Sequence, residues 1–170
     1  MSTVVIGIGE AHVSRTREDI LTTYALGSCV AVLLHDPSAG VGGLLHLMLP
    51  DSQIDAAKAV QRPFMYADTG IRELLNKARE IGAKRTTTSV WLAGGAEMFD
   101  SSGTFNIGKR NLLAVKKLLW QSGMLIRGEE VGGKVSRTVR LHVDTGQVWL
   151  RVANSEGNPA EGERQWRLMC

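Results

Sequence analysis

Two apolar runs separated by a short loop constrain this chain more than any other feature. Cys29–His35 reads CVAVLLH, and Val41–Leu49 reads VGGLLHLML. Neither alternates between apolar and polar residues. A strand of that kind needs cover on both faces, so it belongs inside a layered fold rather than on a solvated sheet. Between the runs stands DPSAG, Asp36–Gly40. Pro37 presets φ for a turn and Gly40 tolerates φ > 0. Two strands joined so closely form an antiparallel hairpin.

The remaining pattern mixes both periods. TVVIGIG (Thr3–Gly9) predicts a short strand. In YADTGIRELLNKAREIGAK, Ala67, Ile71, Leu74, Leu75, Ala78 and Ile81 recur at helical spacing, and Gly82 stands where a helix stops. TTTSVWLAGG reads as a strand ending in a glycine turn. GKRNLLAVKKLLWQSG reads as a second amphipathic helix, with Leu112, Val115, Leu118 and Leu119 inside and Gly123 at its end. MLIRGEEVGG, VSRTVRLHV and GQVWLRVA predict three further strands, separated by hairpin-like turns at Gly132-Gly133 and Asp144–Gly146. Strands, helix, strand, helix, strands is an α+β order. Residues 1–153 make one domain, and the polar stretch 154–170 reads as a flexible tail.

Composition excludes several function classes. The 170 residues are 44% hydrophobic and carry a formal charge of +3 without a long Lys/Arg run. Nucleic-acid binding demands a more concentrated basic face. The two cysteines, Cys29 and Cys170, form no CxxC and no Cys/His quartet, so neither a disulfide framework nor a structural metal is expected. No apolar stretch approaches the ~18 residues of a membrane span. The N-terminal residues lack the basic start and long apolar run of a signal peptide. A protein of a reducing compartment, the cytoplasm, is expected.

The hairpin carries the candidate chemistry. With Asp36–Ala39 as a four-residue loop, Cys29 falls opposite His46, where directly paired Cβ atoms are about 4.5–5.5 Å apart. A one-residue slip would put them on opposite faces. A cysteine attacks as thiolate, and an adjacent imidazole accepts its proton. Gly27 lets backbone and substrate approach, and the N–H groups of Ser28 and Cys29 suit a developing oxyanion. The alternative is plain packing: a small apolar Cys29 and a satisfied core His46. His35 reads as exposed turn structure. Gly94 and Gly95 in AGGAEMF lack the GK[ST] of a phosphate loop, which leaves a tight loop near the hairpin. Lys109, Arg110 and Asn111 open a helix, where they either meet an anionic partner or are simply solvated.

Taken in order, these segments resemble the CheD family of chemoreceptor glutamine deamidases. TYALGSCVAV resembles the nucleophile segment, HDP the turn and GGLLHLMLP the histidine segment. LAGGAEMF and IGKRN resemble two central signatures, and DTGQV the C-terminal strands. The resemblance implies Cys29 as nucleophile, His46 as catalytic histidine and Thr23 as the residue completing a triad. It implies an α+β three-layer sandwich of mixed β-sheets with two main helices, similar to the catalytic domain of the cytotoxic necrotizing factor toxins. It implies no cofactor, and as partners the cytoplasmic domains of methyl-accepting chemoreceptors and a CheC-type phosphatase. Gly94, Gly95, Lys109, Arg110 and Asn111 are then candidates for substrate or partner contact. Ser136 stands before Arg137 where the family usually has glycine. A docking module with weak catalysis, or a cysteine hydrolase acting on another amide, remains an alternative.

Overall fold

In the computed structural model, residues 1–97, 106–153 and 166–169 are described. The strands are β1 (Ser2–Val5), β2 (Glu10–Ser14), β3 (Asp19–Leu26), β4 (Val30–Asp36), β5 (Val41–Leu47), β6 (Ser89–Gly94), β7 (Leu125–Val131), β8 (Ser136–His142), β9 (Val148–Ala153) and β10 (Arg167–Leu168). The helices are α1 (Ala56–Gln61), α2 (Ala67–Glu80) and α3 (Ile107–Gln121).

The strands form two five-stranded sheets, ordered β1-β3-β8-β9-β10 and β2-β5-β4-β6-β7. Both are mixed: β1 runs parallel to β3 and β6 parallel to β7, while the β3–β8, β8–β9, β2–β5, β4–β5 and β4–β6 pairs are antiparallel. The expected α+β class with mixed sheets is therefore observed.

The two apolar runs become β4 and β5, buried along their whole length. Their side chains alternate between two cores. Val30, Val32 and Leu34 join Leu45 and Leu47 against Ile71, Leu74, Val115 and Leu119 of the helices. Ala31, Leu33 and Leu44 face the other sheet, meeting Leu21, Leu26, Val139, Leu141 and Leu150. The second sheet is thus the middle of three layers, which explains why β4 and β5 carry no polar face. Each buried Leu or Val contributes roughly 1.5–3 kcal/mol relative to exposure, so this double-sided burial locks the strands that carry the candidate site.

α2 shows why these residues form a helix. Ala67, Gly70, Ile71, Leu74 and Ala78 bury one stripe, Asp68 lies in the first turn, and Lys77 and Arg79 lie in the last. That charge order complements the helix dipole.

Several expectations need correction. The N-terminal strand stops at Val5, and two unforeseen strands, β2 and β3, follow. β7 and β8 are no hairpin: β7 ends one sheet and β8 belongs to the other, so the chain crosses layers at Gly132-Gly133. Glycine turns permit either connection, and only tertiary pairing decides. The C-terminal stretch is not all tail. Arg167–Leu168 pairs with β9, Met169 is buried, and the Trp166 ring lies 4.0 Å below the Arg140 guanidinium. An open edge of β9, an aromatic platform and a buried methionine together outweigh the polar composition around them. His35 is buried rather than exposed, with its Nε2 2.9 Å from the carbonyl of Val143, just past the end of β8. Cys170 and residues 98–99 of the AGGAEMF segment lie outside the described residues. Among the described residues, no helix is long and apolar enough to cross a membrane.

Candidate active site

The β4–β5 register differs from the expected one by two residues. Asp36 pairs with Val41 and Ala31 with His46, so the loop is Pro37–Gly40. Asp36 causes the difference. Its fully buried carboxylate accepts bonds from the Lys84, Ser38 and Ala39 amides and from the hydroxyls of Ser38 and Thr87. Burial alone would raise its pKa, but these donors hold it well below the usual carboxylate range. Asp36 therefore ends the strand instead of opening the loop.

A shift of two keeps side chains on the same face. His46 points between the sheets, and Cys29, in the bend before β4, packs against the same inter-sheet cluster. By register Cys29 is the diagonal neighbour of His46 rather than its direct partner. Diagonal neighbours are about 7–8 Å apart between backbones and less between Cβ atoms. No hydrogen bond joins the thiol to the imidazole among the described residues.

Thr23 meets His46 from the opposite sheet. Its Oγ1 lies 2.7 Å from His46 Nδ1 and 2.7 Å from the Ile6 carbonyl oxygen. A hydroxyl has one proton, and the carbonyl can only accept. Thr23 therefore donates to Ile6 and accepts from Nδ1–H. That assigns the tautomer: Nδ1 carries the proton and Nε2 carries the free lone pair. Nε2 is buried and, among the described residues, has no partner. Gly9 N–H anchors the His46 carbonyl at 2.8 Å, and β3 bulges directly after Thr23, with Ala25 at φ 53°.

The Cys29 bend is tied down through its carbonyls. Ala96 N–H donates to Gly27 at 2.9 Å, Asn111 Nδ2 to Ser28 at 3.0 Å, and Gly95 N–H to Cys29 at 2.8 Å. Among the described residues, the Ser28 amide has no acceptor and the Cys29 amide reaches only its own sulfur. With three consecutive carbonyls held by the protein, no other backbone group competes for these N–H groups, an arrangement that suits an anionic oxygen.

Electrostatics keep thiol and imidazole neutral. Burial pushes the half-buried Cys29 thiol up, opposed by its own backbone N–H. Burial pushes His46 down to about 4, opposed by Glu10. Near neutral pH the imidazole is uncharged, with its lone pair on Nε2, and the thiol is protonated.

The other candidates separate by burial. Lys109 and Arg110 are exposed on the first turn of α3. Gly94, Gly95 and Asn111 are buried and bind the protein's own backbone. Gly94, at φ 102°, admits no side chain: a Cβ there would stand 2.2 Å from the Cys29 carbonyl oxygen. Sequence reasoning missed Ile6, whose carbonyl orients Thr23, because a backbone role leaves no side-chain signature. It also missed Arg137, whose Nη1 donates to the Gly132 carbonyl at 2.7 Å. A signal for Arg137 exists: it occupies an inward position, in step with Val139 and Leu141, along an alternating strand. Among the described residues, no cluster of three or more His, Cys, Asp or Glu could hold a metal ion.

Comparison with known proteins adds chemistry to this geometry. A family model described as CheD chemotactic sensory transduction matches residues 48–152. A Solibacter usitatus protein named probable chemoreceptor glutamine deamidase CheD is 47% identical over 151 residues, covering 89% of each chain. A Syntrophotalea carbinolica protein of the same name is 47% identical over 170 residues, covering 99% of this chain and 100% of its own. The Thermotoga maritima protein named chemoreceptor glutamine deamidase CheD is 42% identical over 147 residues, covering 86% of this chain and 90% of its own.

Proposed function

This chain belongs to the CheD family, and on that premise we propose that it converts glutamine side chains of methyl-accepting chemoreceptors to glutamate through Cys29, His46 and Thr23. It is an amide hydrolase of the protein-glutamine glutaminase class. The observation that carries the mechanism is the bond between Thr23 Oγ1 and His46 Nδ1, which leaves Nε2 buried and, among the described residues, unpartnered in the inter-sheet layer against which Cys29 also packs.

His46 Nε2 takes the Cys29 proton as sulfur attacks the glutamine amide carbon. The carbonyl oxygen becomes anionic and is met by the Ser28 and Cys29 amides. His46 returns the proton to the leaving nitrogen, which departs as ammonia and leaves a thioester. Water, deprotonated by the same Nε2, attacks the thioester. The carboxylate product leaves, and the proton returns to sulfur. Because burial disfavours both charged forms at rest, proton transfer waits for attack, when the oxyanion gains its donors. Thr23 holds the ring and its tautomer throughout, the part a third triad member plays.

The partners of this reading are receptor cytoplasmic domains and, through the family, a CheC-type phosphatase in the cytoplasm. The three-layer order supports the likeness to the necrotizing factor catalytic domain. The test is incubation with a receptor cytoplasmic fragment and mass-spectrometric mapping of each +1 Da Gln-to-Glu change. The wild type should modify discrete glutamines, and Cys29→Ala none. Unchanged conversion by Cys29→Ala would end the nucleophile assignment, and hydrolysis confined to unrelated amides would end the receptor assignment.

A further inference from the structure

Asn111 lies one turn into α3 and is fully buried. Its Nδ2 has two hydrogens and two acceptors: the Ser28 carbonyl at 3.0 Å and the Met48 carbonyl at 2.9 Å. Both neighbours are carbonyl oxygens, so the amide orientation is determined: nitrogen must face them. Ser28 immediately precedes Cys29, and Met48 follows His46 by two positions. One side chain therefore ties the bend carrying the thiol to the strand end carrying the imidazole.

The helix is seated for this contact. A Cβ on Gly108 would stand 2.3 Å from the Ala96 carbonyl oxygen, so the first turn of α3 is pressed onto the turn after β6. That same turn donates to the Gly27 and Cys29 carbonyls. Meanwhile Asn111 Oδ1 is buried without a partner, a condition native structures rarely tolerate. Two donor bonds offset an acceptor that is unmatched among the described residues. Aspartate has no donor, serine has one, and lysine would bury a charge between two carbonyls.

We propose that Asn111 is a positioning residue that holds the Cys29 bend at working distance from His46 without touching substrate. This rests on the deamidase reading for its consequence in turnover. The bridge itself can be read through thiol reactivity alone.

The test compares wild type, Asn111→Ala, the milder Asn111→Ser and, as a control, Leu119→Ala on the same buried face of α3. Deamidation of a receptor cytoplasmic fragment is measured beside the rate of Cys29 alkylation by iodoacetamide, in variants that unfold cooperatively. Asn111→Ala should lower kcat by about 100-fold with KM within threefold, as a small misplacement of reacting groups does. Asn111→Ser should recover part of the loss. Alkylation should rise severalfold as the bend loosens. Leu119→Ala should lower the unfolding temperature while kcat and alkylation stay near wild type. A folded Asn111→Ala variant with kcat within threefold of wild type overturns the proposal, as does an alkylation rate of that variant within twofold. Loss of kcat in Leu119→Ala equal to that in Asn111→Ala also overturns it, since helix destabilisation would then suffice. A wild type that deamidates no receptor glutamine defeats the deamidase reading instead, and the alkylation ratio alone then decides the bridge.

Discussion

Thr23 Oγ1 and His46 Nδ1 meet at 2.7 Å across the interface between the two sheets. Neither residue's own strand positions it for catalysis. The contact exists because β3 and β5 belong to different layers whose inner faces pack together. Because the hydroxyl proton is committed to the Ile6 carbonyl, this one distance also assigns the base nitrogen.

Replacing Thr23 by Val keeps the shape and removes the hydroxyl. The imidazole then loses its orienting acceptor, and kcat should fall about 10–100-fold with little change in KM. Thr23→Ser should restore most of the activity. Mass-spectrometric initial rates on a receptor fragment check this, and a Thr23→Val rate equal to wild type would remove Thr23 from the mechanism.

At rest the thiol is protonated, since burial raises the Cys29 pKa above its ordinary 9.0. Alkylation of Cys29 at pH 7 should therefore be slower than that of a free cysteine and should climb only in strongly alkaline buffer. Fast alkylation at pH 6–7 would instead indicate a preformed thiolate–imidazolium pair.

His46 is pushed down from 6.5 to about 4. The unfolded chain binds the extra proton first on acidification, so stability rises with pH through this window. Its contribution is complete above about pH 6.5 and is lost as pH falls through about 4, on the order of 3 kcal/mol in all. Urea midpoints at pH 7.5 and 4.5 should differ less in His46→Gln than in wild type. Part of the slope should survive through His35, whose pKa burial also lowers. Equal slopes in both proteins would contradict the assignment.

Gly94→Ala places a methyl group where the Cys29 carbonyl oxygen stands and strains a backbone at φ 102°. It should cost at least ~2 kcal/mol in stability and abolish deamidation by displacing the Cys29 bend. Thermal unfolding and turnover measured on the same sample test both parts, and near-normal activity would show that the bend tolerates displacement.

Trp166→Ala removes the ring stacked under Arg140 and, at 5.2 Å, Arg151. A loss of roughly 0.5–2 kcal/mol is expected, with turnover unchanged because the contact lies on the outward face of the other sheet, away from the inter-sheet layer. Full stability in this variant would mean that pairing of β10, rather than the ring, holds the C-terminal segment.

Much of the framework is legible in the sequence because its cause is local or periodic. The doubly apolar β4 and β5, the stripes of α2 and α3, and the glycine turn after β6 all follow from pattern. β2 and β3 escaped notice because their partners lie far along the chain. β2 pairs with β5, and β3 lies between β1 and β8. The tail strand escaped because composition averages over a few decisive residues, Trp166 and Met169 among them. The hairpin register was out by two because Asp36 gathers donors from Lys84 and Thr87, which no local turn rule anticipates.

By itself, the sequence determined the layered α+β class, the doubly covered hairpin and the residue types available for chemistry. It allowed Cys29 and His46 to share a face in one register, and the observed register, shifted by two, keeps that face. Tertiary structure decided what those residues can do. Packing the sheets face to face brought Thr23 to Nδ1, left Nε2 without a partner and buried Asn111 between two carbonyls. The physical reason is that each outcome depends on contacts between segments distant in sequence: burial moves a pKa, a hydroxyl's single proton assigns a tautomer, and a buried amide finds its acceptors only once all three layers are assembled.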